Sequence, residues 1–350
     1  MGVTPQRSTL LGIQYLRAAA ALLVLLAHAR NPRPWLFNPL AGWDFTAGVE
    51  IFFVISGVIM FVTAREAQPL EFMRRRVLRV VPLYWVATLA FVAWLAYRDL
   101  EPPTGRDLIL SLAMIPHEGS LHRGMVWPVL VPGWTLNCEM FFYGLFAVGL
   151  AMKRVMVFTS AALLLLVAGG LLLTPADPVL KTYTSPLLLA FFSGLAIAWL
   201  RERWAGFASA WGLGALGAGL LAAHFSPWAH LPKLGLIAAS AALVAGVMAL
   251  EPRWAQRPSK PLLALGDASY AIYLFHTLVL AVVSWRCKTM ALEGWLQFLT
   301  VVGLGVVLSI GAGLALHRWV EKPMLAALLR VGRPRARAPQ LEAAASQVSP

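Results

Sequence analysis

Acidic side chains are scarce in this chain: Asp and Glu number 16 against 29 Lys and Arg in 350 residues, and charged residues of both signs make up only 13%. That is about half the charge of an ordinary soluble domain, which excludes a large solvated surface. Cysteine is nearly absent, with only Cys138 and Cys287. A disulfide scaffold and a thiolate metal cluster are therefore excluded. There is no H-E-x-x-H, no C-x-x-C pair and no P-loop, so none of these metal or nucleotide sites is signalled. The short alternating segments that build membrane β-barrels are missing as well, because the apolar runs are long and continuous.

What is present is apolar. Hydrophobic residues supply 59% of the chain. Stretches of membrane-spanning length recur at about 10–29, 47–64, 80–97, 134–151, 155–173, 184–200, 205–223, 232–250, 268–286 and 295–317. In lipid the backbone must satisfy its own hydrogen bonds. The pattern therefore predicts an all-α polytopic membrane protein of about ten transmembrane helices. An even number of spans puts both termini on one side. Lys and Arg concentrate in the loops on that side, which predicts cytoplasmic termini. The formal charge of +13 is then mostly a topology signal. The lipid bilayer is an expected partner and nucleic acid is not. The membrane domain is expected over 1–330, followed at 331–350 by a disordered basic cytoplasmic tail near anionic lipid. Ala27-His28-Ala29 has the form of a signal-peptide cleavage site, but Arg17 inside the would-be apolar core argues for a retained span. The longest outer connection, about 98–133, holds an apolar piece from Leu108 to Ile115 that is too short to span. It is expected to be re-entrant or interfacial.

Gly212, Gly214 and Gly217 spell G-x-G-x-x-G. The dinucleotide reading needs a preceding strand and a βαβ unit, and here the glycines lie inside an apolar span. Close helix packing is the expected role.

The first span contains two ionisable residues, Arg17 and His28, eleven positions apart. Eleven residues make about three turns, so both share one helix face, about 16 Å apart along the axis. Charge at such depth is costly and is usually retained for function. Span direction puts Arg17 in the inner half and His28 near the outer end. Glu50, at the start of the second span, and Glu139, more than one turn into the fourth, are expected in the same outer layer. His276 of the ninth span lies nearer the middle. A His with a carboxylate partner can take a proton from a hydroxyl at neutral pH, the carboxylate orienting the ring. Glu139 is the first choice of partner and Glu50 the second. Plainer readings exist: Glu50 and Glu139 as interfacial carboxylates, His276 as a packing histidine. Trp134, Tyr143 and His276 are candidate lining of the site. On the inner side Arg76 and Arg79, three apart, share a helix face. They read as a phosphate grip suited to guanidinium forks or, with Arg74 and Arg75, as positive-inside anchors.

Taken together these stretches resemble the acyltransferase-3 family of membrane O-acyltransferases, and within it the ExoZ-like exopolysaccharide acetyltransferases. Arg17 and His28 meet that family's R-x10-H signature. Gly48 to Gly57 meets its G-V-[DE]-x-F-F-V-x-S-G stretch, with Glu50 at the acidic position. Arg76, Arg79, Pro82, Tyr84 and Trp85 match R-x-x-R followed by P-x-Y-W. Trp134 to Tyr143 matches W-[ST]-L-x-x-E-x-x-F-Y, Ser269 to His276 matches S-Y-x-x-Y-L-x-H, and Glu321-Lys322-Pro323 matches the closing E-[RK]-P. The matches run in order along nearly the whole chain.

The resemblance implies transfer of an acyl group, usually acetyl, from cytoplasmic acetyl-CoA or another acyl-CoA. The acceptor it implies is a hydroxyl of an extracytoplasmic polysaccharide or lipid-linked oligosaccharide, with the enzyme in a bacterial inner membrane. It marks His28 as the essential histidine and Arg17, Arg76 and Arg79 as functional arginines, and their inner-side positions along the spans make these three the expected donor-binding residues. No metal is expected. Direct transfer with His28 as base and an acyl-enzyme on His28 both fit. The alternative is a transporter or flippase of a sugar-lipid or anionic metabolite, because buried Arg and His also bind cargo. The two halves of the chain, however, show no convincing internal repeat. A third reading is a sensor or assembly subunit of a polysaccharide machine.

Overall fold

The computed structural model describes residues 10–30 and 35–331. Residues 1–9 and the basic tail beyond 331 lie outside the described residues. Among the described residues, all regular structure is helical. Helix α1 runs Leu11–Ala29, α2 Gly48–Ala64, α3 Pro69–Tyr97, α4 Gly105–Leu112 and α5 Gly133–Ala151. Then come α6 Val155–Leu173, α7 Pro178–Tyr183, α8 Leu188–Arg203, α9 Trp211–Phe225, α10 Lys233–Ala249, α11 Glu251–Gln256 and α12 Lys260–Thr289. The last rod is built from α13 Gly294–Phe298, α14 Gly305–Leu316 and α15 Lys322–Val331, joined by π-helical turns at Leu299–Leu304 and His317–Glu321. Seven helical segments among the described residues are long and apolar enough to cross a membrane, and α2 and α10 are shorter apolar helices.

Helix α3 begins at Pro69, well before the expected start at about 80. Pro69 suits the first turn, where its missing N–H costs nothing. Glu71 then bonds Arg74 at 3.2 Å and Arg75 at 2.6 Å, three and four residues on. Such pairs stabilise a helix that lacks an apolar face, so hydropathy alone placed the start too late.

Small residues set the closest helix crossings. A Cβ added to Gly194 of α8 would lie 2.0 Å from the Val54 carbonyl oxygen of α2. The G-x-G-x-x-G stretch of α9 behaves likewise: a Cβ on Gly214 would meet Gly246 of α10 at 2.6 Å, and one on Gly217 would meet the Ala239 oxygen at 2.6 Å. The motif is a packing surface.

Two long helices, α3 and α12, run side by side in the same direction. Tyr270 donates to the Val80 carbonyl at 2.7 Å, and Trp94 meets Trp285 edge-on at 5.5 Å. Short α4 is fastened against the middle of α3. The Tyr84 hydroxyl donates to Ser111 O at 3.1 Å and Trp85 Nε1 to Leu112 O at 2.8 Å. Both anchors lie about 18–20 Å short of the C-terminal tip of α3. The expected apolar piece of the long loop thus lies along a neighbouring helix. Gly133, at the start of α5, packs on the same Tyr84 ring. Helix α5 therefore begins at mid-length of α3, and this decides where its carboxylate falls.

Candidate active site

A cavity of about 350 Å³ opens among α1, α2, α3, α5 and α12. Its wall carries Arg17 from α1, Arg76 and Arg79 from α3, and Glu139 and Tyr143 from α5. Arg17 donates to Gln14 Oε1 at 2.9 Å, and Gln14 donates in turn to Asp267 of α12 at 2.9 Å. The Arg76 guanidinium lies over the Phe72 ring at 5.4 Å and the Tyr143 ring at 5.6 Å, a geometry favourable to a cation. Its Nε is buried without a hydrogen-bond partner. Among the described residues, none of the three guanidinium groups has an ion-paired carboxylate.

Glu139 is the one carboxylate on the described wall. Its Oε1 accepts from Ser56 Oγ at 2.9 Å and from the Tyr143 hydroxyl. Three guanidinium groups against one carboxylate leave the cavity cationic. A buried guanidinium donor without a partner is costly, and a cationic cavity of this kind suits an anion.

His28 stands beyond the other end of this cavity. Its Nδ1 lies 2.9 Å from the Val24 carbonyl oxygen one turn back. A carbonyl only accepts, so Nδ1 carries the proton and Nε2 keeps its lone pair. The His276 ring packs edge-on against it, 4.7 Å between centroids. His276 Nδ1 is fixed in the same way by Tyr273 O at 2.7 Å, and its Nε2 is buried without a partner. His276 lies near the middle of α12. Although His28 is the last residue but one of α1, it is recessed about 20 Å below the C-terminal tip of α12.

Neither acidic residue considered as a partner is bonded to His28. Glu139 lies deeper, beside Ser56 and Arg76, because α5 starts at mid-length of α3 instead of at its tip. Glu50 is 1% exposed in the first turn of α2 and pairs with Lys233, the first residue of α10. The three residues expected in one layer thus occupy three environments: a histidine pair, a helix-to-helix ion pair and a cationic cavity. Of the expected lining residues, Tyr143 is on the cavity wall, His276 is against His28, and Trp134 is partly buried one residue before the wall residue Thr135.

The cavity also contains residues not singled out in the sequence. Ser56 and Gln14 orient Glu139 and Arg17. Thr135 and Tyr273 close the end nearest the histidines. Helical spacing carried the signal: Thr135, Glu139 and Tyr143 recur every four residues, and Tyr270, Tyr273 and His276 every three.

Asp44, His224 and His230 place ligand-type atoms within 4.8 Å of one another near the start of α2. His224 Nδ1 accepts the Leu231 N–H at 3.0 Å, so its proton sits on Nε2, 3.6 Å from Asp44. A metal would need the lone pair that this proton occupies. Asp44 also faces Arg30 at 3.5 Å, and the group reads as a latch between the α1–α2 loop and α9.

A cationic cavity and a histidine with a free ring nitrogen, joined by one helix of an apolar bundle, suit transfer of a group from an anionic carrier. The acyltransferase domain of the acyltransferase-3 family matches residues 10–316, and the chain belongs to that family. The closing Glu321-Lys322-Pro323 falls just past the matched residues. The exopolysaccharide production protein ExoZ of Rhizobium meliloti (strain 1021) is 36% identical over 314 residues, covering 84% of this chain and 93% of that relative. No solved structure matches the chain.

Proposed function

We propose that this acyltransferase moves an acyl group, acetyl in the simplest case, from acyl-CoA to a carbohydrate hydroxyl. The acceptor is an exopolysaccharide or its lipid-linked precursor on the far side of the bacterial inner membrane. The observation that carries the reading is the layout of α1, which brings Arg17 into the cationic cavity and His28 to the histidine pair. Ten crossings with cytoplasmic termini put the cavity mouth in the cytoplasm and His28 toward the acceptor.

In this reading Arg76 and Arg79 hold the CoA phosphates through charge-assisted hydrogen bonds. Glu139 moderates repulsion among the arginines and positions Tyr143 under Arg76. The acyl-pantetheine end runs past Arg17 toward Thr135 and Tyr273. His28 Nε2 takes the proton of the acceptor hydroxyl as that oxygen attacks the thioester carbonyl. Val24 O steadies the ring through Nδ1, a task for which a carboxylate was expected. Glu50 acts at one remove, tying α2 to α10.

The test is transfer in proteoliposomes supplied with labelled acetyl-CoA and exopolysaccharide from a strain lacking this gene. His28→Ala is expected to transfer no label yet bind acetyl-CoA. Transfer by His28→Ala at near the wild-type rate overturns the assignment of His28. Polysaccharide from the deletion strain is also expected to lack an acyl ester in its NMR spectrum.

A further inference from the structure

Two hydroxyls close the end of the cavity nearest the histidines. Tyr273 of α12 and Thr135 of α5 both line the cavity. Their oxygens are 2.6 Å apart, and each is 3.0 Å from the Pro132 carbonyl oxygen. The Tyr273 ring lies 6.1 Å from the His276 ring, which lies 4.7 Å from that of His28.

The three oxygens form a triangle with three contacts of hydrogen-bonding length, but only two protons are available. Pro132 O has none to give, and each hydroxyl has one. One contact is always without a proton. Either hydroxyl can therefore turn its proton toward the cavity while the other keeps its bond to Pro132 O. Most buried hydroxyls would orphan their acceptor by such a turn, at a desolvation cost. Here that cost is absent.

We infer that Tyr273 and Thr135 form a catalytic donor pair, in which one hydroxyl donates to the thioester carbonyl oxygen as it becomes an oxyanion while the other holds Pro132 O. The inference rests on the acyl-transfer reading above. The acceptor oxygen bonds to the thioester carbon while its proton passes to His28 Nε2. The carbonyl π pair moves onto oxygen, where the re-aimed hydroxyl proton meets it. When the pair returns, the carbon–sulfur bond breaks, and the CoA thiolate takes the proton from His28. The products are the O-acyl ester and free CoA thiol, with no other reactant consumed. A donor aimed where charge develops contributes mainly to the transition state.

The experiment measures CoA thiol release and ester formation in proteoliposomes, with acetyl-CoA and the exopolysaccharide of the deletion strain. Tyr273→Phe keeps the ring and Thr135→Val keeps the shape. Each is expected to lower kcat about 10–100-fold, and the pair about 1000-fold, near the loss seen on deleting such donors. KM for acetyl-CoA and the binding of desulfo-CoA are expected to stay within about twofold of wild type, as for an interaction made only in the transition state. Thr135→Ser, which keeps the hydroxyl, is expected to recover most of the rate lost in Thr135→Val. Wild-type kcat in the double variant overturns the inference. So does a rise in KM that matches a loss of desulfo-CoA binding, because that pattern marks a structural role. Desulfo-CoA binding by wild type without ester formation overturns acyl transfer itself, a failure separate from either of these.

Discussion

At the scale of single residues, Arg76 carries a plain expectation. Its buried Nε has no partner and its plane rests on Phe72 and Tyr143. Replacing Arg76 and Arg79 together by Ala should weaken acetyl-CoA binding by about 10–100-fold or more, since a hydrogen bond to a charged group contributes about 1.5–3 kcal/mol. Equilibrium dialysis checks this, and unchanged affinity refutes the grip. Arg76→Lys should recover only part of the loss, because an ammonium lacks the flat fork. Asp107 supplies a pH-dependent case outside the spans. It is buried at the start of α4, and burial alone would raise its pKa. Hydrogen bonds from Ser120 and Thr104 outweigh that and hold it at about 2, below the ordinary 3.8. A carboxyl depressed on folding stabilises the fold above its unfolded pKa. That stability should be lost as pH falls from about 4 toward 2. Asp107→Asn should lower the melting temperature at pH 7 and flatten that acid limb, as read by thermal unfolding in detergent. Arg17, His28 and Glu139 were legible as single residues, since an ionisable group among apolar ones is conspicuous, and Arg76 and Arg79 by their spacing on one helix face. Their partners were not. The choice of Glu139 or Glu50 for His28 relied on depth counted from helix ends, and α5 does not start where α3 ends.

At the scale of the helix, the glycines of α9 separate two roles. A Cβ on Gly214 would meet α10 at 2.6 Å, whereas one on Gly212 meets nothing within 4 Å. Gly214→Val should force α9 and α10 apart and destabilise the protein by about 1–3 kcal/mol or more. Gly212→Ala should leave the melting temperature unchanged or raise it slightly, because it restricts the unfolded chain. Equal effects from the two would show that packing against α10 is not the reason for the motif. Apolar run length was enough to locate the helices. It could not show that α3 extends eleven residues earlier on Glu71–Arg pairs, or that the last rod contains two π-helical turns. Both depend on side-chain pairing and backbone adjustment, which hydropathy does not record.

For the whole molecule, a simple labelling experiment reads the arrangement across the membrane. Trp228, between α9 and α10, is 92% exposed, and the Glu66 side chain, between α2 and α3, is 89% exposed. Cys138 and Cys287 are buried and give little background. With ten crossings and cytoplasmic termini, Trp228→Cys should react with an impermeant maleimide on spheroplasts. Glu66→Cys should react only after permeabilisation. The reverse pattern would put the cationic cavity on the wrong side for a cytoplasmic donor.

The sequence by itself determined that this is a helical membrane protein, roughly where its apolar helices lie, and which charged residues they carry into the bundle. These follow from composition and from spacing along one helix, both local quantities. The tertiary structure decided who meets whom: Arg17 with Arg76 and Arg79, His28 with His276, Glu50 with Lys233, and Tyr273 with Thr135. Those pairings depend on the relative depth of helices distant in sequence. That depth is set by glycine crossings and by α4 folded down along α3, contacts that no single segment encodes.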